Sequence, residues 1–413
     1  MSALPSHPPS RYVGLARGDL ARLVPELLLC GHLIDRAGMA WCIEAWGREE
    51  MTRIAIEEWM GASPVYTQRM QRAMVFEGDD VVTIFKGLQL DIGAPPQFMD
   101  FRYAVHDRWH GEFWLDHCGA LMDVEPMGQE YVVSMCHDIE DPTFDATAVA
   151  TNPRARMRPI HRPPRSPADR RPHCAWTVTI DPSHSEIAPS AATEAVARTR
   201  AATTDLQAVD PSDDGVPDYA GPLLADLDFA TFSHAALVRL ADEVALQMHL
   251  LSISFVLALG RRCGPDQVRA IATRQLIGSA GLTASRLHRA LGLGRDVSGA
   301  ARLLALHPAL NPAAYVALES TGDGVVVHRS PAHEDSGWLP LCGPHEIRPL
   351  QAVVRSVAPH LDVEVTGSAT DWTARVVERD APVPEFEEVA VARLSTGAGF
   401  ELTPRRSLPL TPL

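Results

Sequence analysis

Three cysteines in the first half of the chain are the residues best suited to chemistry. Cys118, Cys136 and Cys174 lie far apart in sequence, and the last two stand next to His137 and His173. Thiolates and an imidazole together form a donor set that suits Zn²⁺, with Fe as the second candidate. A cysteine thiolate can instead act as a nucleophile when a histidine removes its proton. A third interpretation is that the cysteines only pack as small hydrophobic residues, since no CxxC pair is present.

Two carboxylates and one histidine are the candidates for proton transfer. Asp35 and Glu44 fall within one predicted helix, and His137 follows the second cysteine of the set. At 100° per residue, the two carboxylates point to opposite faces of a continuous helix. They can therefore serve one site only if Gly38 breaks the helix. We expect Asp35, Glu44 and His137 to act as general acids or bases.

A basic, proline-rich segment precedes the last of these cysteines. Residues 152–172 carry seven arginines interleaved with six prolines, in a chain whose formal net charge is −15. One interpretation is a lid that binds an anionic substrate through Arg158, Arg162 and Arg171. The other is a solvated loop without a site function.

Several stretches of the second half of the chain repeat stretches of the first half. The segment WLDHCG at 114–119 recurs as WLPLCG at 338–343, and residues 47–61 align without gaps on residues 264–278. The matches occur in the same order in both halves, which predicts two tandem homologous units. Further matches in this order are Asp80 with Asp296, His137 with His360, and Trp176 with Trp372.

The second unit acts as an internal control for the first. Cys118 persists as Cys342 and His32 persists as His249, which favours structural roles for these positions. The residues that change are Cys136 to Pro359, Cys174 to Thr370, Asp35 to Ser252 and Glu44 to Arg261. Proline and arginine are not isosteric replacements for packing residues. We therefore expect a site in the first unit and a degenerate second unit that keeps the shape.

Hydrophobic periodicity predicts a helical part followed by a small sheet in each unit. The helices predicted for the first unit span 19–46, 49–60 (ended by Gly61), 66–75 and 81–90, and its strands span 98–105, 113–117, 131–136 and 174–180. The fold class is therefore α+β, with two tandem homologous domains, each a helical N-terminal part followed by a mostly antiparallel β-sheet. The predicted boundaries are 17–181 for the first domain, 182–222 for the linker, 223–400 for the second domain and 401–413 for the tail.

Composition limits the partners and the compartment. The 413 residues are 46% hydrophobic and carry 52 acidic against 37 basic side chains, which makes nucleic acid and anionic membranes poor partners. The chain contains no apolar run of the roughly 18 residues that a membrane span needs, and residues 1–17 lack the apolar stretch of a signal peptide. Seven widely spaced cysteines suit a reducing, cytoplasmic environment. The expected partner is a small molecule, with homo-oligomer formation left open.

The order of these residues resembles a known family. The residues that carry the resemblance are Ile34, Asp35, Trp41, Glu44, Gly47 and Trp59, followed by Cys118, Cys136, Phe144 and Cys174. They are similar to proteins grouped with L-2-amino-thiazoline-4-carboxylate hydrolase, an enzyme that opens a thiazoline ring at its amidine carbon. The resemblance implies that the three cysteines are site residues and that Asp35 and Glu44 are their acid–base neighbours.

Two functional hypotheses follow. The first is a cytosolic hydrolase that acts on a C–N bond of a small anionic molecule, with a thiolate-centred site in the first unit. Here Cys118, Cys136 and Cys174 either hold zinc, which lowers the pKa of a bound water, or supply a nucleophile. The second is a non-catalytic sensor of a small ligand or metal, in which the two units form an intramolecular pseudo-dimer.

Overall fold

The computed structural model describes residues 8–209, 214–395 and 407–410. Within these residues the chain has the α+β fold expected from the sequence, with two four-stranded antiparallel sheets that each follow a set of helices. Residues 401–406 and 411–413 of the predicted tail lie outside the described residues.

The first unit opens with a hairpin of two long helices and ends in a sheet. The helices of this unit are α1 (Arg17–Trp46), α2 (Arg48–Ala73), α3 (Val81–Gln89), α4 (Gly119–Val124), α5 (Gln129–Val133) and α6 (Glu140–Val149), with a π-helix (Ser134–Ile139) between the last two. Its strands are β1 (Met99–Val105), β2 (His110–Cys118), β3 (Ala155–His161) and β4 (Cys174–Ile180). They are ordered β1-β2-β4-β3 in the sheet.

The second unit repeats this arrangement after a connection that holds α7 (Ala191–Ala197) and α8 (Arg200–Thr203). Its helices are α9 (His234–Gly260), α10 (Pro265–Leu291), α11 (Val297–Leu306), α12 (Arg348–Arg355) and α13 (Glu387–Ala392). Its strands are β5 (Leu318–Ser320), β6 (Gly324–Val327), β7 (Leu361–Gly367) and β8 (Trp372–Glu378), in the order β5-β6-β8-β7. The identical strand order supports a duplication. Asp80 and Asp296, which were aligned from the sequence, cap the N-termini of α3 and α11 in the same way.

The two helical hairpins pack on each other around a pseudo-twofold axis. α1 packs mainly on α10 and α2 packs mainly on α9, which is the reciprocal pattern of a symmetric dimer interface. Helix α9 is the one described helix that is long and apolar enough to span a membrane by length and composition, and 83% of its most apolar window is buried. In this fold α9 is a core helix.

Neither glycine that was expected to interrupt the first hairpin does so. α1 continues through Gly38 and α2 continues through Gly61 to Ala73, so the predicted helix stop at Gly61 was wrong. A Cβ atom on Gly61 would lie 2.2 Å from the Oγ atom of Ser254 in α9. Gly61 is therefore a point of close helix crossing, and tertiary packing outweighs its low helix propensity.

The third strand of the first sheet is the largest error of the sequence prediction. Residues 131–136, predicted as a strand, form α5 and the start of the π-helix. The strand is instead Ala155–His161, inside the segment interpreted as an arginine-rich loop. Short apolar runs do not distinguish a strand from a buried helix. In β3 the small and apolar residues Ala155 and Met157 face inward, while the alternating Arg156 and Arg158 face outward.

Strand register corrects one part of the repeat alignment. Phe113 of β2 pairs with Trp176 of β4, and Val327 of β6 pairs with Trp372 of β8. The match of the two β4 and β8 tryptophans is therefore structural. The tryptophan of WLDHCG directly follows Phe113, so its counterpart directly follows Val327 and is not Trp338. The segments WLDHCG and WLPLCG are therefore similar in sequence but do not occupy equivalent positions in the two units.

The strand positions also correct the comparison of the cysteines between the two units. Thr370 occupies the place of Cys174, since each stands two residues before the tryptophan shared by β4 and β8. Pro359 stands two residues before β7, whereas Cys136 lies in the π-helix, well before β3. The second unit therefore shows the loss of Cys174, but Pro359 is not the counterpart of Cys136.

Candidate active site

A cavity that opens to solvent lies between the α1–α2 hairpin and the sheet of the first unit, with an empty volume of about 770 Å³ including its open mouth. We call it the inner cavity. Its titratable lining residues are His32, Asp35, Arg36, Tyr66, Asp91 and Glu140. Aromatic and aliphatic walls surround these polar groups, including Trp59, Phe101 and Phe144. A concave, mostly apolar cavity with a few convergent polar groups is the usual form of a small-molecule site.

Helix α1 supplies three polar residues to the inner cavity. His32, Asp35 and Arg36 are spaced three and four residues apart, so they lie on one face of the continuous helix. Asp35 is thus where a site residue was expected. Glu44 lies on another face, as the helical geometry predicted, and takes no part in this cavity's lining.

Glu44 forms an ion pair between the two units. Its Oε2 atom lies 3.1 Å from Nη1 of Arg274 in α10, and its side chain is 66% exposed. At the pseudo-symmetric place, Nη1 of Arg261, the residue that follows α9, lies 2.6 Å from Oε2 of Glu57 in α2. The two pairs have opposite polarity. The difference between Glu44 and Arg261 therefore reflects two interface ion pairs of opposite polarity. It is no longer evidence that Glu44 is catalytic.

Asp35 faces a second carboxyl group that the sequence reasoning missed. Glu58 of α2 is completely buried, and burial together with the adjacent Asp35 raises its pKa well above the ordinary value. Burial also raises the pKa of Asp35, although the neighbouring Arg36, Trp59 and Glu58 side chains oppose this change. Two buried carboxyl groups in contact cannot both ionise readily, so the pair retains a proton near neutral pH.

A third carboxyl group, Glu140, reaches the inner cavity from α6. Burial raises its pKa to about 8, while the charge of Arg162 acts in the opposite direction. Its Oε2 atom has no hydrogen-bond partner within the described residues. Glu140 follows the π-helix directly, and π-helical turns often occur at functional sites because they re-aim the side chains around them.

His32 is the polar residue of the cavity that both units share. Burial lowers its pKa to about 3, so the imidazole is neutral. No hydrogen bond of ordinary geometry reaches either ring nitrogen within the described residues. The Nε2 atom of His249, its counterpart, lies 3.1 Å and 2.9 Å from the carbonyl oxygens of Pro308 and Asn311. His249 is thus held by two carbonyl oxygens through Nε2, although its Nδ1 atom has no partner among the described residues, whereas the His32 ring interacts with the Ile92 backbone.

The structure brings the three predicted cysteines together, but behind the cavity wall. Cys118, Cys136 and Cys174 are all buried, and none belongs to the cavity lining. Burial raises the pKa of each thiol, and the nearby Glu140 raises it further. At neutral pH these groups are therefore thiols and poor nucleophiles. Among the described residues, no group of three or more His, Cys, Asp and Glu side chains is arranged to hold a metal ion.

The predicted histidines lie at the edge of this cysteine cluster. The Nε2 atom of His137 lies 2.7 Å from the carbonyl oxygen of Pro163. His173 is buried, and burial lowers its pKa to about 4. Its ring lies 5.9 Å from that of His117. These contacts hold the 162–173 loop to the sheet, and neither His137 nor His173 lines the inner cavity.

The three arginines expected to bind substrate are engaged with protein groups. Arg158, Arg162 and Arg171 all lie outside the lining of the inner cavity. Their partners are Asp145 for Arg158 at 2.9 Å, Asp141 for Arg162, and the carbonyl oxygen of Asp116 for Arg171 at 3.1 Å. The arginine that lines the cavity is Arg36, which the sequence reasoning did not single out.

The second unit has closed the corresponding space. Its counterparts of Asp35, Arg36, Glu58 and Trp59 are Ser252, Ile253, Gln275 and Leu276. The Trp338 ring lies 5.0 Å from the His249 ring, and a Cβ atom on Gly337 would lie 3.2 Å from Ile253. A loop thus packs an indole beside the shared histidine. The gapless alignment of 47–61 on 264–278 already held the change of Glu58 to Gln275, a signal that could have found this residue.

Comparison of the chain with protein-family models, with curated proteins and with solved structures gave no match. The interpretation of the site therefore depends on its own geometry and on the internal comparison of the two units.

Proposed function

We propose that the first unit is a cytoplasmic hydrolase that cleaves a C–N bond of a small anionic molecule, and that buried carboxyl groups carry the chemistry. The observation on which this depends is that Asp35 and Glu140 line one cavity and Glu58 lies buried beside Asp35, with the pKa values of all three carboxyl groups raised. Clusters of carboxyl groups with shifted pKa values are typical of acid–base catalysis. The second unit lacks the first two of these groups.

The arrangement divides the chemical roles among four residues. Arg36 binds the carboxylate of the substrate. The ionised member of the Asp35–Glu58 pair accepts a proton from water as the water oxygen bonds to the carbon of the C–N group. Glu140, which is protonated at neutral pH because its pKa is about 8, donates a proton to the departing nitrogen. His32, as a neutral imidazole, orients the attacking water.

The test uses carboxyl variants and one matched control. Purified protein is incubated with L-2-amino-thiazoline-4-carboxylate and with a panel of N-acyl amino acids, and loss of each compound is followed by mass spectrometry. We expect Asp35→Asn and Glu58→Gln to lower kcat by about 100-fold or more. Glu44→Gln changes a carboxyl on the opposite face of α1 and should leave kcat unchanged. Full activity in Glu58→Gln would refute the proposal.

A pH profile tests the role of Glu140 separately. A general acid with a pKa of about 8 is protonated below this pH and loses its proton above it. The value of kcat/KM should therefore fall on the alkaline side of about pH 8, and Glu140→Gln should remove this alkaline limb while lowering the plateau. An unchanged limb in Glu140→Gln would assign the proton donor elsewhere.

A thiolate-centred zinc site is the second version of the proposed hydrolase. It is favoured because Cys118, Cys136 and Cys174 lie close together near Glu140. Among the described residues these thiols are not grouped to hold a metal ion, and the proposed reaction is derived from the carboxyl groups alone. Elemental analysis of the purified protein decides between the two versions. Near-stoichiometric zinc that is lost in a folded Cys136→Ser/Cys174→Ser variant would restore the metal site.

A sensor is the alternative, and the pseudo-dimeric packing of the two hairpins favours it. A sensor would bind members of the same panel in calorimetry without turnover. Binding that persists in Glu58→Gln and Glu140→Gln, with no product formed by any variant or by the unaltered protein, would support the sensor.

A further inference from the structure

A second cavity adjoins the inner cavity and shares part of its wall, with an empty volume of about 950 Å³ including its open mouth. We call it the outer cavity. Asp35, Arg36 and Ala55 line both cavities, as do Met135 and Ile139. The remainder of its lining is mainly apolar and includes Met39, Ala40, Ile43, Met51 and Met127. Methionine side chains are flexible and polarisable, and they adapt to apolar ligands of varied shape.

The second unit supplies the far wall of the outer cavity. Val391 and Ala392 of α13 line it together with Leu394 and Ser395, which follow that helix. The hydroxyl group of Ser395 donates a hydrogen bond to Asp123, so this segment is joined to the first unit at the cavity. The outer cavity is thus complete only when both units are present.

Arg36 stands where the two cavities meet. Its side chain is 14% exposed, and its Nε atom lies 3.8 Å from the Oδ2 atom of Asp123. The Nε and Nη2 atoms are buried and have no hydrogen-bond partner within the described residues. A buried guanidinium with unused donors is costly unless an acceptor reaches it. The planar fork of N–H groups suits a carboxylate in particular.

We propose that the two cavities form one binding site for a carboxylic acid that carries an apolar chain. The carboxylate binds Arg36 at the junction, and the chain lies among the methionines of the outer cavity. The polar C–N group of the same molecule enters the inner cavity and meets Asp35 and Glu140, with Glu58 buried behind Asp35. Only the placement of the C–N group in the inner cavity rests on the proposed hydrolase. Occupation of Arg36 and of the outer cavity requires no reaction.

Three probes test the binding site by calorimetry with the full chain: octanoate, acetate and octylammonium. Because each buried methylene adds to affinity, octanoate should bind about 100-fold or more tightly than acetate. Octylammonium has the same chain and the opposite charge, so it should bind much more weakly than octanoate. Equal affinity for octanoate and acetate would overturn the proposal, and so would binding of octylammonium as tight as that of octanoate.

Variants locate the two ends of the ligand. Arg36→Ile introduces the residue that the second unit has at this place and should weaken octanoate binding by about 10-fold or more. Arg22→Ile, on an exposed part of the same helix, is the matched control and should bind octanoate normally. Ala40→Phe narrows the outer cavity and should weaken octanoate but not acetate. Unchanged octanoate binding in Arg36→Ile would overturn the proposal.

The probe series with the unaltered chain remains decisive even if a variant does not fold. Failure of octanoate to bind, combined with hydrolysis that depends on Glu140, would overturn only the two-cavity site. Octanoate binding without hydrolysis of any compound in the panel would instead leave the two-cavity site and refute the hydrolase.

Discussion

Glu140 directly follows the π-helix, and burial raises the pKa of its side chain to about 8. This shift makes the stability of the fold depend on pH, in addition to its effect on chemistry. An ordinary glutamate has a pKa near 4.5. The folded state therefore binds this proton more tightly than the unfolded state does. The corresponding stability is complete below about pH 4.5 and is lost as the pH rises through about 8.

The residue-scale prediction is that Glu140→Gln flattens the pH dependence of stability. Between about pH 5 and pH 8, one such proton changes the free energy of unfolding by up to about 1.4 kcal/mol per pH unit. Urea unfolding at several pH values should show a smaller decline for Glu140→Gln than for the unaltered chain. Glu44→Gln serves as the control with an unchanged decline. Equal slopes for all three proteins would mean that Glu140 titrates normally.

A second residue-scale prediction concerns Glu58, whose counterpart in the second unit is Gln275. Glu58→Gln removes one of two adjoining buried carboxyl groups and keeps the shape of the side chain. We expect the free energy of unfolding at pH 8 to rise by about 1–2 kcal/mol, while turnover is lost. Thermal unfolding at pH 8 measures the first effect. A destabilised variant would show that the carboxyl pair contributes to folding and is not strained for function.

Sequence reasoning reached some site residues and missed others for identifiable reasons. Asp35 was found because the two units differ there. Arg36 and Glu58 differ in the same way, but an arginine and a glutamate within a helix are usually solvated, so their burial was not anticipated. No difference between the units indicated Glu140 in the sequence. Its position in the cavity depends on the π-helix and on the sheet, which were not predicted correctly there.

At the scale of elements, α1 and α3 were predicted close to their observed bounds, whereas α2 was wrongly divided at Gly61 and α5 was taken for a strand. Periodic apolar positions fix α1 over many turns, whereas residues 131–136 are too few to separate a helix from a strand. The charged residues that join the hairpins were also unpredictable, because their partners lie far away in sequence. Two of these pairs are pseudo-symmetric: Arg69 with Glu243 at 2.9 Å, which is buried, and Arg286 with Glu26 at 2.5 Å, which is partly buried.

The element-scale prediction is that the buried Arg69–Glu243 pair contributes far more to the free energy of unfolding than the exposed pairs between the two hairpins. Glu243→Ala leaves the Arg69 charge buried without its partner and should destabilise the chain by about 3 kcal/mol or more. Glu44→Ala breaks an exposed pair with Arg274 and should cost less than about 1 kcal/mol. Urea unfolding at neutral pH compares the two variants. Similar small costs for both would show that solvent reaches the Arg69–Glu243 pair.

At the scale of the whole molecule, two units with the same strand order share one helical interface. Each hairpin buries its apolar face against the hairpin of the other half, as α1 does on α10 and α2 on α9. Separated halves would expose these faces and leave Arg69 and Arg286 without Glu243 and Glu26. The outer cavity would also lose the wall that α13 and the residues after it provide.

We therefore predict that residues 1–209 and residues 214–413, expressed separately, do not fold as monomers. Co-expressed, the two fragments should associate into a complex with the circular dichroism spectrum of the intact chain, because the helical interface is large and apolar. Sedimentation and thermal unfolding measure both outcomes. The intact chain should unfold in a single transition, since neither hairpin is stable without the other. A first fragment that is monomeric, cooperatively folded and able to bind octanoate would contradict this view, because it would show that the second unit contributes neither to the core nor to the outer cavity.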